Sequence, residues 1–212
     1  MKTASQSLAR RLETPAGMLP RAFLVAAALL VFVTYLFPLW NMTMFAPQYP
    51  QGLRLHIYSY KLDGGNGGQD VHEINVLNHY IGMHDLVSAD FTEFKWIPFV
   101  LGALALLFLR AAVHGELGHV LDMVVLFLYF SLFSLWSFGY KLYRYGHDLA
   151  PTAAVKVQPF MPPMLGRRQL ANFEVTSTPG PASYVLGLMA LLLVVALVLA
   201  WRGSRKPAPE LS

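Results

Sequence analysis

Residues 70–85, DVHEINVLNHYIGMHD, gather His72, His79, Met83 and His84 within a short stretch that follows a glycine-rich run. Three imidazoles and a thioether are ligands for a soft or borderline ion, and imidazole with thioether suits Cu(I). The chain has no cysteine, so thiolate sites, iron–sulfur clusters, disulfides and thiol catalysis are excluded. Soft-metal chemistry therefore falls to histidine and methionine, and we take His72, His79, Met83 and His84 as the candidate copper-binding set. The same residues have a structural reading, with each histidine satisfied by a local hydrogen bond and each methionine filling a gap in a small core.

A helix is needed to align these groups. Asp70, with Glu73 three residues on, has the form of a capping box that starts one. At 100° per residue, Ile74, Leu77 and Ile81 converge on one side. His72, His79 and Met83 converge nearly opposite, with Val76 and Leu86 beside them, while His84 joins that row only if the helix breaks at Gly82. Upstream, LRLHIYSYKL partly alternates like a strand, with Leu53, Leu55 and Ile57 on one face and Arg54, His56 and Tyr58 on the other. DGGNGGQ, residues 63–69, reads as a flexible turn or linker. Later in the chain, PFMPPM is extended because proline fixes φ and disfavours helix before it, and NFEVTSTPG reads as a short strand.

Further ligand types are scattered. His56 is an additional imidazole for the first cluster, and Met42, Met44, Met161 and Met164 are reserve thioethers. His147 lies in the second polar stretch. His114 and His119, in HGELGH, stand about 140° apart on a continuous helix, which makes them poor joint ligands and their segment a polar link. No apolar segment has a central histidine for bis-histidine haem. Asp122 is the acid nearest a segment interior, and Ser131, Ser134 and Ser137 fall along one helix side, a pattern typical of helix packing. There is no GxSxG, HExxH or P-loop motif, and we expect no enzymatic activity.

The environment of these residues follows from composition. Of 212 residues, 55% are apolar and 13% charged, about half the charge of a soluble domain, and the mean hydropathy is +0.45. The chain reads as an integral membrane protein, mainly α. Four stretches approach the roughly 20 apolar residues that cross a bilayer: 21–40, 96–113, 118–140 and 182–201. Each carries a tryptophan near an end, as an interfacial belt places it. The first segment lacks a small-x-small cleavage pattern and reads as an uncleaved anchor.

Basic residues set the orientation. Residues 1–20, the turn at 114–117 and the tail at 202–212 are expected in the cytoplasm, and the loops 41–95 and 141–181 are exported. With the residues bordering them, the cytoplasmic pieces hold eight Lys and Arg in about 40 residues, and the loops eight in about 100. The net charge of +4 records this topology, with no basic stripe for nucleic acid. The expected architecture is four transmembrane helices and a small mixed α/β periplasmic domain formed by the two loops, in the bacterial inner membrane.

Three segments, FPLWNMTMFAPQYPQGL, INVLNHYIGMHDL and YGHDLAP…FMPPMLGRRQLANF, resemble those of a group of bacterial inner-membrane proteins. That group shares APQYPxGL and LNHYIGM segments and a proline-rich second loop. The resemblance covers most of residues 36–175 and associates the group with maturation of respiratory copper enzymes of the nitrous oxide reductase type. It implies copper handling, with His79 and Met83 inside the shared segment and a membrane or periplasmic copper protein as partner. The alternative expectation is a scaffold or interaction subunit of a larger membrane electron-transfer complex.

Overall fold

The computed structural model describes residues 2–170 and 173–204. The chain divides into two compact units. The first contains residues 1–33, 99–131 and 185–212, and the second contains residues 34–98 and 132–184.

The first unit is helical. It holds α1 (Lys2–Leu12), most of α2 (Met18–Thr34), and parts of α4 (Glu93–His114), α5 (Leu117–His147) and α6 (Pro181–Gly203). Phe108, Leu24, Leu101, Met189 and Leu193 are almost fully enclosed, and small residues such as Ala27, Ala28, Ala105 and Ala196 are buried among them. Small side chains let apolar helices approach closely. Outward positions remain apolar, Phe32, Leu106 and Leu191 among them, as a lipid-facing surface requires.

Three helices are long and apolar enough to cross a membrane: Glu93–His114, Leu117–His147 and Pro181–Gly203. The protein is thus a membrane protein. The other apolar helix, Met18–Thr34, has 17 residues and is about 25 Å long. It stops short of the expected 21–40, because Pro38 disfavours helix at the residue before it and the chain turns to enter a strand. Trp40, expected at the end of a span, is the first residue of that strand.

The second unit is built on a five-stranded antiparallel sheet. Its strands are β1 (Trp40–Ala46), β2 (Tyr49–Ile57), β3 (Leu62–Gly64), β4 (Gly166–Leu170) and β5 (Phe173–Pro179), in the order β3-β2-β1-β5-β4. The two polar stretches of the sequence thus share one sheet, with β1 hydrogen-bonded to β2 on one side and β5 on the other. Met42 pairs with Leu55 and Ser177, and Met44 with Leu53 and Val175. The resulting face receives α3 (Gln69–Ile81) through Ile74, Leu77 and Ile81.

The segment read as a flexible linker is ordered. Asp70 is 2% exposed, accepts a hydrogen bond from the Arg54 amide at 2.8 Å and another from Asn66 Nδ2 at 2.7 Å, and so fastens the glycine-rich turn to β2. The expected capping box does not form. Gly68 occupies the N-cap position without a side-chain bond, and Glu73 instead accepts a hydrogen bond from Tyr49 Oη.

Candidate functional site: the outer face of α3

The inner face of α3 follows the apolar spacing of its sequence. Ile74 is 1% exposed and packs with Leu53 and Leu55, and Ile81 packs with Ala46, Phe173 and Val175. The polar residues on this side are also committed. Asn75 Oδ1 accepts from the Leu86 amide at 2.7 Å, and Asn78, itself buried, donates to the His84 carbonyl at 3.4 Å. The two asparagines hold the returning chain against the helix.

The helix ends at Ile81 because Gly82 adopts φ +81°, a left-handed conformation that costs an L-residue roughly 1–2 kcal/mol. The Gly82 amide bonds to the His79 carbonyl at 3.2 Å and the Met83 amide to that of Asn78 at 2.8 Å, the paired bonds of a Schellman motif. A segment of the second polar stretch is fastened here. Ala150 N donates to the Gly82 carbonyl at 2.8 Å, and Val155 N to that of Tyr80 at 3.0 Å. Much of LNHYIGM is therefore accounted for by folding: Leu77, Asn78, Ile81, Gly82 and Met83 seat and terminate the helix.

The four sequence-predicted ligands are not brought to one point. Met83 leaves the helix at Gly82 and packs against the Ile81–Phe173 cluster, so it does not extend the histidine row. His84 is exposed, with Nε2 3.3 Å from Asp148 Oδ2 and its ring against Tyr145. Asp148 also receives Arg144 at 3.1 Å. Arg144 first, and then His84, hold its carboxyl below the usual carboxylate range. His72 and His79 are exposed on α3; seven residues apart, they share a face but stand two turns, about 10.5 Å, from each other.

The reserve ligands are dispersed as well. His56 Nδ1 lies 2.7 Å from Asn41 Oδ1 and points from the sheet face opposite α3, since its neighbours Leu55 and Ile57 face the helix. Met42 and Met44 are core side chains. The Met161 carbonyl accepts from Arg168 and the Met164 carbonyl from Ser177, while His147 lies over Tyr143 with ring centroids 3.9 Å apart. Among the described residues no group of three His, Asp or Glu is placed to hold a metal ion.

The outer face of α3 presents the side chains that packing leaves exposed. His72, Val76, His79 and Tyr80 run along it, all exposed, with Val76 at 53% and Tyr80 at 55%. Val76 and Tyr80 add apolar area between two imidazoles, at spacings that keep all four on one helical stripe. The alternation of the inner residues identified the histidines. Tyr80 carries no metal-ligand chemistry, so a search for ligands passes over it, although its position within the same helical stripe is readable.

No protein-family model matches the chain, and no curated protein is detectably similar to it.

Proposed function

We propose that this protein is a non-catalytic accessory component of a membrane-bound assembly, and that it docks a partner protein through the outer face of α3. The observation that carries this reading is the division of labour on α3: the inner side chains are committed to packing and capping, while the side chains of His72, Val76, His79 and Tyr80 stay exposed. Tyrosine is enriched at protein interfaces, where an aromatic body and a polar tip both find partners. A helix held by its inner face, its C-terminal cap and a docked second segment is a rigid platform for such contact.

The membrane arrangement supports the same picture. Strands from both polar stretches share one sheet, so both lie on one side of any membrane. The chain between them then crosses an even number of times, which α4 and α5 provide. With α2 tilting little or the bilayer thinning to match its 17 residues, and α6 crossing last, the chain has four spans. Basic residues at Arg10, Arg11 and Arg202 orient both termini to the cytoplasm of a bacterial inner membrane. The sheet domain is then exported.

A second reading, copper handling during maturation of a respiratory copper enzyme, is favoured by the uncommitted imidazoles of His72 and His79. Each offers one ligand, so Cu(I) would be held only while a docked partner supplies the others, an arrangement suited to transfer more than storage.

The test is native purification from the source membrane of the wild type and a Val76→Ser/Tyr80→Ala variant. Loss of a stoichiometric partner, with an unchanged unfolding midpoint, is the expected result. Undiminished partner recovery with the variant overturns the docking face. His72→Gln/His79→Gln, measured for copper carried by the isolated complex, separates the second reading from the first.

A further inference from the structure

The turn between α4 and α5 carries a histidine pair that a continuous helix would have kept apart. Gly115 has φ +64° and ends α4 after His114, and α5 begins at Leu117. The change of direction brings His114 and His119 together, with ring centroids 4.9 Å apart and planes inclined at 35°. This corrects the helical estimate that made them poor joint ligands. Its physical cause is the left-handed glycine.

The turn is built to hold its shape. The Ala16 amide donates to the Gly115 carbonyl at 2.6 Å and the Leu117 amide to the Thr14 carbonyl at 3.0 Å, so the segment before α2 forms a bridge along it. Arg21 lies directly over Gly115, where a Cβ would meet its guanidinium at 2.0–2.1 Å. No larger residue fits there without displacing that side chain.

The imidazole nitrogens are also oriented. His114 Nδ1 lies 3.0 Å from the Arg110 carbonyl, which only accepts, so in the neutral ring Nδ1 carries the proton and Nε2 keeps a lone pair. His119 Nδ1 is buried and stands 3.3 Å from Glu116 Oε2, within ion-pair distance but without a hydrogen bond among the described residues. The carbonyl behind His114 is the outer-shell support that metal-bound histidines commonly have, and the Glu116 carboxylate stands close enough to His119 to take the same part when a metal orients the ring.

The separation fits a shared ion. Metal–nitrogen bonds of about 2.0–2.1 Å, at inter-ligand angles of about 90–110°, set two ring centroids roughly 4.5–5.2 Å apart. Rings on opposite sides of a haem iron stand further apart than this, in line through the metal, so axial haem ligation does not match. We infer that His114 and His119 form a two-imidazole site for a borderline divalent cation, Cu2+ or Zn2+, at the α4–α5 turn, with water completing the coordination. Glu116 is a positioning residue behind His119. This site is independent of the docking face on α3.

The test uses the tag-free full chain in detergent, titrated with Cu2+ and followed by calorimetry and electron paramagnetic resonance. One equivalent bound, with hyperfine splitting from two imidazole nitrogens, is the expected result. His114→Gln and His119→Gln should each weaken binding by about tenfold or more, and Glu116→Gln by about tenfold while keeping one equivalent. His72→Gln/His79→Gln should leave it unchanged. Glutamine keeps a polar side chain of similar length, and unfolding midpoints matching the wild type confirm that each variant is folded. Equal affinity in wild type and both single-histidine variants, no stoichiometric binding by the wild type, or loss of binding only in the His72/His79 variant overturns the inference.

Discussion

Replacing Gly82 by alanine measures how much the end of α3 depends on the segment docked there. At φ +81° alanine takes on left-handed strain of roughly 1–2 kcal/mol, part of which is offset by the lower freedom of the unfolded chain. The new Cβ would stand 2.9 Å from the Ala150 carbonyl oxygen and 2.9 Å from Ala153 Cβ. Overpacking of this kind costs about 1–3 kcal/mol. Gly67 is the internal control, with φ +66° and no atom within 4 Å of its would-be Cβ, so Gly67→Ala carries the backbone strain alone. The difference between the two variants is therefore the docking contribution, about 1–3 kcal/mol. Hydrogen exchange at the Ala150 and Val155 amides, which donate to the Gly82 and Tyr80 carbonyls, reads it directly. Protection should fall by about 5- to 150-fold in Gly82→Ala relative to Gly67→Ala. Equal protection in the two variants would refute the claim that the second stretch is fastened to the helix terminus.

Ile74→Ala should destabilise the sheet domain by about 2–5 kcal/mol, because Ile74 is 1% exposed, whereas Val76→Ala on the outer face should stay within about 0.5 kcal/mol; chemical unfolding in detergent compares them. The Tyr49–Glu73 bond holds the Glu73 carboxyl below its usual 4.5 and raises the Tyr49 phenol above its usual 10.0. A depressed carboxyl stabilises above pH 4.5 and loses that contribution as pH falls further. A raised phenol stabilises below pH 10.0 and loses it as pH climbs. Unfolding midpoints of a Tyr49→Phe/Glu73→Gln variant should accordingly vary less with pH at both extremes than those of the wild type. The absence of native cysteine allows a clean topology test with single cysteines: Gln48→Cys should react with an impermeant maleimide from the exported side, and Arg10→Cys and Arg202→Cys only after permeabilisation. Labelling of Arg10→Cys alongside Gln48→Cys would show that α2 does not cross.

Much of the fold was legible in the sequence because hydrophobic periodicity decides burial. Leu53 and Leu55 on one strand face and Ile74, Leu77 and Ile81 on one helix side met as their spacing required. The sheet order was not legible, since β1 pairs with β5 across more than a hundred residues of chain and no local pattern encodes such a partner. Asp70 misled for a physical reason: its spacing to Glu73 suits a capping box, but the Arg54 amide and Asn66 offered better partners. The site was only half legible. Helical spacing placed His72 and His79 on one face, but it carried Met83 and the His114–His119 pair past glycines that reverse the backbone. Gly82 and Gly115 were the available signals, since glycine after an apolar helical run marks its C-terminus.

The outer stripe of α3 is the proposed surface for a partner. A photo-crosslinking residue placed in turn at positions 76, 79 and 80, and at 48 and 165 as exposed controls, tests it in intact cells. A single adduct of one mass from all three stripe positions, absent from both controls, is the predicted result. Equal crosslinking from the controls, or none from the stripe, would contradict it.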